Sequence, residues 1–328
     1  MTQQQTPGAP GVGAAGQIAH LLVSELVQPV PPDVTSFVTA MIGPSRPLGV
    51  LFYGSALRQP DMDGILDFYI IVEHLSDWPA GGWARTANRL LPPNVEYHER
   101  LMDGRMVRAK VAILTLAQFR QMTGRGTLDT TIWARFCQPV RLVWVRDAGA
   151  ADAILGCLIR AVAMAARWAM ALGPRQGRPE EFWNALFSNT YGAELRVESS
   201  RKRPRAIVQG HEDRYRALLG AAWRADGLPF AMQGDVLVPG VDAAWRKDMR
   251  DGWWLRRKMG QPLNIARLAK GTFTFAGGAR YIAWKIKRHS GIDLPLSPFA
   301  ERHPLICLPR LLWSLRQAGF FRRKQARA

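Results

Sequence analysis

The chain has 328 residues, 44 Lys and Arg against 26 Asp and Glu, a formal charge of +18, and 48% apolar residues that include 12 Trp. That apolar content fills cores and excludes a chain disordered throughout, and the length suits about two domains. Cys137, Cys157 and Cys307 are too few and too widely spaced for a disulfide framework or a cysteine zinc site, which suits a reducing compartment.

The charge is concentrated. Residues 246–328 hold 19 Lys and Arg and 4 Asp and Glu, so +15 of the +18 lies in the last quarter of the chain. A field of that sign attracts nucleic acid, an anionic membrane surface or a polyphosphate, and composition does not choose among them. No Lys or Arg precedes Arg46, so neither a secretory signal nor a transit peptide is expected.

Residues 1–16, rich in Gln, Pro, Gly and Ala, predict a disordered leader. Helical spacing from Gln17 to Val27 is broken at Pro31-Pro32, where Asp33 is placed to cap a second helix reaching about Ile42. Two apolar runs, 48–53 and 65–72, predict adjacent central strands. Asp103-Gly104 predicts a type I′ turn between strands 97–102 and 105–114, and 139–145 predicts another strand. Helical patterns fall at 116–122 and 130–136.

After Asp147 the pattern turns helical, at 151–172, 179–196 and 212–225, with a small hairpin at 230–239. The first of these carries Asp152, Arg160 and Arg167, which marks a packed helix rather than a membrane span. The chain divides into a leader (1–16), a mixed domain (17–148), a helical domain (149–245) and a basic, Trp-rich segment (246–328), an α+β organisation overall.

In the last segment Trp253, Trp254, Arg256, Arg257 and Lys258, then Tyr281, Trp284, Lys285, Lys287 and Arg288, flank a Gly-rich link at 270–278. Such alternation suits a membrane interface; the plainer reading packs Trp253, Trp254 and Trp284 in a core beneath solvated cations. The final run Phe320-Phe321-Arg322-Arg323-Lys324 fits a core less well.

The sharpest chemical signal is Tyr53-Gly54-Ser55 at one strand end, with Asp67 inside the next strand. A Gly-Ser turn brings backbone N–H groups and a hydroxyl close to a triphosphate, and a strand carboxylate meets the Mg²⁺ that bridges its oxygens. The arrangement is nucleotidyltransferase-like, yet Phe68 and Tyr69 follow where a second carboxylate is usual. Asp61 and Asp63 could supply one, although both also fit ordinary turn chemistry. A phosphate-monoester nucleophile is already anionic at neutral pH and needs positioning more than a base. The six histidines show no ligand spacing.

Tyr53-Gly54-Ser55, Gln59 and Leu66-Asp67-Phe68 together resemble the phosphatidate cytidylyltransferases of the mitochondrial translocator assembly and maintenance type, peripheral CDP-diacylglycerol synthases. Further likeness falls at Gly104-Arg105-Met106-Val107-Arg108, at Ala134-Arg135-Phe136, at Tyr191-Gly192-Ala193-Glu194-Leu195-Arg196 and at Lys270-Gly271-Thr272-Phe273-Thr274. Ala56, where the family commonly has a second Gly, and Glu96-Tyr97-His98, where it has His-Tyr, depart from it.

The resemblance implies a polymerase-β-like nucleotidyltransferase domain followed by a winged-helix-like domain. It implies CTP and phosphatidic acid as substrates, Mg²⁺ as cofactor and an anionic membrane surface as partner, reached from the cytoplasmic side. On it, Gly54 and Ser55 cradle the phosphates with Tyr53 and Gln59 beside them, and Asp67 holds the metal with Glu194 as a second ligand. Lys270, Arg108, Lys110, Arg135 and Arg196 neutralise the triphosphate. Two other functions compete: a nucleotidyltransferase acting on nucleic acid, and an inactive module that binds anionic surfaces.

Overall fold

The computed structural model describes residues 13–58, 64–193, 203–290, 293 and 296–302. Gln59, Asp61, Asp63, Glu194, Arg196 and the run 320–324 lie outside the described residues. Helices α1 (Ala14–Leu26) and α2 (Pro32–Ile42) lead into β1 (Gly49–Tyr53), α3 (Ser55–Arg58) and β2 (Leu66–Val72). Next come α4 (Gly82–Leu90), the hairpin β3 (Asn94–Met102) and β4 (Arg105–Thr115), then α5 (Leu116–Met122), α6 (Thr131–Phe136) and β5 (Arg141–Val145). The rest is mainly helical: α7 (Ala148–Leu172), α8 (Pro179–Ala193), α9 (Arg203–Val208), α10 (Glu212–Ala225), the hairpin β6 (Phe230–Gln233) and β7 (Val236–Pro239), α11 (Ala243–Thr274), α12 (Gly278–Ser290) and α13 (Pro298–Arg302).

Five strands form one mixed sheet in the order β3-β4-β2-β1-β5, in which β2 and β4 run parallel and the other neighbours antiparallel. Period-2 alternation divides its side chains between two layers. Leu51, Tyr69, Ile71, Ala112 and Leu114 face a core shared with α1, α6 and α7. Val50, Phe52, Phe68, Ile70, Val111 and Ile113 face a second core closed by Val34, Phe37 and Val38 of α2. Asp103 and Gly104 have φ of 47° and 77°, the two positive values that a type I′ turn requires.

α7 is long and apolar enough to cross a membrane, yet Ile154, Leu158, Val162 and Met170 are fully buried within the first core. That core runs without a break from Ile18 of α1 through α6, α7, α8 and α10 to Trp253 of α11. The β6–β7 hairpin gains a third rung where Gly177 pairs with Leu237, beside α8. The chain is thus mixed α+β, with its sheet in the first half and helices dominating the second.

Four local expectations need correction. Helix α1 begins at Ala14, so residues 14–16 are helical rather than leader. Asp33 lies in the first turn of α2, Pro31 is the N-cap, and Pro32 takes the first helical position, where its fixed φ suits the entry. Helix α4, strongly amphipathic but short and polar overall, was not expected. The Gly-rich link is short, because α11 runs through Pro262 and Gly271 and ends at Thr274. Interior Pro and Gly cost a helix about 3 and 1 kcal/mol, and side-chain anchors along α11 offset that.

Trp253 is one of those anchors and is not an interface residue. It is 5% exposed, with its ring 5.2 Å from Trp168 and 6.5 Å from Trp133, whereas Trp254 is 57% exposed beneath Lys258. Trp253→Ala is expected to destabilise by about 3–5 kcal/mol, and Trp254→Ala by under about 1 kcal/mol, in urea unfolding. Equal losses would contradict this division of the pair.

Candidate active site

Strand register assembles the site. Tyr53 pairs with Asp67, Asp67 with Lys110, and Lys110 with Tyr97, so one row crosses β1, β2, β4 and β3. Laterally paired residues share a face, and alternation from Tyr69 and Ala112 places this row on the first-core side. The apolar core ends against Tyr53, and beyond it a row spanning about 14 Å carries polar groups.

Gly54 leaves β1 at φ +93°, a conformation that favours glycine. A Cβ there would stand 2.8 Å from Asp67 Oδ2, so the missing side chain is what lets the turn close over the carboxylate. Ser55 follows, exposed, at the start of α3. The sequence reading of Tyr53, Gly54, Ser55 and Asp67 as neighbours therefore corresponds to a physical cluster.

Arg135, from the last turn of α6, reaches the same cluster. Its guanidinium carbon lies 5.2 Å from the Tyr53 ring centre and 5.7 Å from that of Tyr69, and Nη1 donates to the Tyr69 hydroxyl at 2.7 Å. Burial raises the Tyr69 phenol, against the pull of Arg135, so it stays neutral and accepts from the cation. Tyr69 sits two residues after Asp67 on one face, a period-2 signal that the sequence reading passed over.

Helix α12 covers the β4–β3 end. Tyr281 lies under Lys110 Nζ at 5.2 Å and stacks toward Trp284 at 6.3 Å, and Arg108 stands 5.7 Å from the Trp284 ring. The junction before α12 is pinned by Tyr97 N–H donating to the Ala276 carbonyl at 2.8 Å. Gly277, at φ +72°, has room for no side chain, since a Cβ would meet the Tyr97 carbonyl oxygen at 2.5 Å. Glu99 accepts from the Tyr97 hydroxyl at 2.9 Å and pairs with Arg280 at 3.6 Å. Tyr97, Glu99 and Arg280 were not read as site residues, and Tyr281 and Trp284 were read as membrane-interface aromatics; long-range packing alone brings them there.

Lys270 stands elsewhere. Its ammonium donates to the carbonyls of Leu91 and Pro93, both at 2.6 Å, and to Asn94 Oδ1 at 3.0 Å, while Arg267 binds the Pro92 carbonyl and Asp129. These contacts tie α11 to the start of β3. Asn94 pairs with Ile113, three residues along β4 from Lys110, which is about 10 Å from the polar row. Its assigned phosphate role thus meets an ammonium already engaged by carbonyl and amide oxygens.

Burial, with the charge of Arg267, lowers Lys270 from 10.5 to about 8. Between those values the unfolded chain binds more protons, so this group makes stability rise with pH from about 8 to about 10.5. Lys270→Gln is expected to flatten that rise in urea unfolding measured below pH 8 and again near pH 10. Parallel profiles for both proteins would refute it.

Among the described residues no group of three or more His, Cys, Asp or Glu gathers as a metal site. Asp67 is the carboxylate of the row, set against the cradle at Gly54. Mg²⁺ binds through one or two carboxylates completed by substrate phosphates and water, so a single Asp beside a glycine turn fits it. Arg108, Lys110 and Arg135 give the face a surplus of positive charge suited to a polyanion.

No family model matches the chain, and no curated protein does. Among solved structures it is similar to a nucleotidyltransferase-like protein from Exiguobacterium sibiricum, at 12% identity over 89% of this chain and 91% of that one, with a TM-score of 0.25.

Proposed function

We propose that the chain is a nucleotidyltransferase that moves the cytidylyl group of CTP to phosphatidic acid, giving CDP-diacylglycerol and pyrophosphate. The observation that carries the reading is the turn at Gly54, closed over Asp67 in one row with Lys110 and beside Arg135. Ser55 and the Gly54 turn support a role in seating the terminal phosphates. Lys110 and Arg135 supply charge to the triphosphate and the departing pyrophosphate.

A phosphatidate oxygen attacks the α-phosphorus, a new P–O bond forms, and the bond to the β-phosphate oxygen breaks as pyrophosphate leaves with the electron pair. The nucleophile is an anion at neutral pH, so the chain's residues need not remove a proton; they align two anions and offset their repulsion. Asp67 would hold Mg²⁺, which when bound neutralises phosphate charge. An anionic membrane surface is the partner this substrate requires, and the net charge of +18 and the exposed Trp254 and Lys258 on α11 suit it.

The test supplies purified protein with Mg²⁺, labelled CTP and phosphatidic acid in detergent or liposomes. Label in the organic phase, lost when Mg²⁺ is chelated, is the expected result. No labelled lipid across several acyl compositions would overturn the reading, and label incorporated into added RNA instead would favour the nucleic-acid alternative.

A further inference from the structure

The polar row has two ends of different chemistry. At the β1 end stand the Gly54 turn, Asp67 and Arg135. At the β4–β3 end, two guanidiniums meet one indole: the Arg108 and Arg288 carbons lie 5.7 and 5.3 Å from the Trp284 ring centre. Glu99, opposite Arg108 in the ladder, already accepts from Tyr97 and pairs with Arg280. Positive charge is thus gathered a second time, about 10 Å across the sheet from the Gly54 turn.

Apolar surface begins where that charge ends. Leu101, two residues past Glu99 on the same face, is 69% exposed and pairs across the ladder with Met106, two residues before Arg108. An exposed Leu alone means little, but an apolar cross-strand pair diagonal to and beside Arg108 on one face matches an amphiphile with an anionic head.

We propose that Arg108, Arg288 and Trp284 form the acceptor site, binding a phosphate monoester whose apolar part leaves past Leu101 and Met106. This rests on the reaction proposed above, in which two anions must lie side by side. The row's length accommodates both: the nucleotide triphosphate occupies the β1 end, and the acceptor phosphate approaches from β4. Trp284 fixes where the two guanidiniums point, as a positioning residue, and Lys110, between the two ends, faces both phosphates.

Steady-state kinetics of Arg288→Gln and Arg108→Gln tests the assignment, the first on an exposed residue of α12. The expected result is a KM for dihexanoyl phosphatidic acid raised by about tenfold or more, one charge-assisted contact's worth, with the KM for CTP nearly unchanged. A matching rise for CTP would overturn the assignment and give these cations to the triphosphate.

Equilibrium dialysis keeps the test independent of turnover. Saturable binding of labelled dihexanoyl phosphatidic acid by the wild type, lost in both variants, supports the site even if no transfer is seen. No saturable binding by the wild type overturns it. Glycerol 3-phosphate and inorganic phosphate serve as competitors: competition as strong as that of unlabelled phosphatidate would overturn the apolar half, and weak competition supports it. Trp284→Phe should keep both KM values near wild type, whereas Trp284→Ala raises the acceptor KM alone; a rise in both values for Trp284→Ala would overturn its positioning role.

Discussion

Asp67→Asn is expected to lower CMP transfer on the order of 10³-fold or more, the equivalent of about 4 kcal/mol of transition-state stabilisation. The substitution keeps shape and removes charge. Asp67 lies at the open end of the sheet with Gly54 against it and Lys110 beside it, and its neighbours in the row are polar. Circular dichroism and thermal unfolding should therefore stay close to wild type. Nucleotide binding without Mg²⁺ should tighten or stay level, since a negative charge facing the triphosphate is gone. An Asp67→Asn variant of normal rate would remove Asp67 from the chemistry.

Gly54→Ala is expected to be nearly as damaging, for a different reason. At φ +93° an alanine is strained by about 1–2 kcal/mol, and its Cβ would displace a carboxylate oxygen 2.8 Å away. Stability should fall by about that amount, and activity by about 10²-fold as the carboxylate is pushed from its place. Gly104→Ala is the control. It meets a positive φ of 77° but finds no atom within 4 Å of the new Cβ, so it bears the conformational cost without touching the site. If both variants lose activity alike, backbone strain rather than displacement of Asp67 is responsible.

The strands were readable because local signals agree there. Runs 48–53 and 65–72 are apolar and β-branched or aromatic, and Asp103-Gly104 meets the conformational demand of its turn directly. Tyr53, Gly54 and Asp67 could be joined on paper for the same reason, since consecutive strands usually pair with each other. The Asp67–Lys110 contact is another matter. It comes from parallel pairing between strands separated by α4 and β3, and no local pattern announces it.

The second half of the site was hidden by ambiguity of a physical kind. Trp253 and Trp254 are identical in type and adjacent, and only the positions of Trp133 and Trp168 decide which turns inward. Tyr281 and Trp284 read as membrane-seeking aromatics until β4 supplies the cations they cover. Lys270 beside Gly271 looked like a phosphate loop, yet anchoring by Arg267 and Lys270 keeps that stretch helical despite its glycine. Gly-rich composition reports backbone freedom, which tertiary contacts then withdraw.

The unbroken core from Ile18 to Trp253 governs how the molecule can be taken apart. The charge boundary near residue 246 invites a cut there, yet a protein shortened at that point loses the indole that fills the space between Trp133 and Trp168. Such a fragment would aggregate or melt early, and its inactivity would say nothing about cations, lipid or nucleotide. Surface-charge reversal at Arg257 and Lys258, which leaves the inward stripe of α11 untouched, is the dissection this architecture permits.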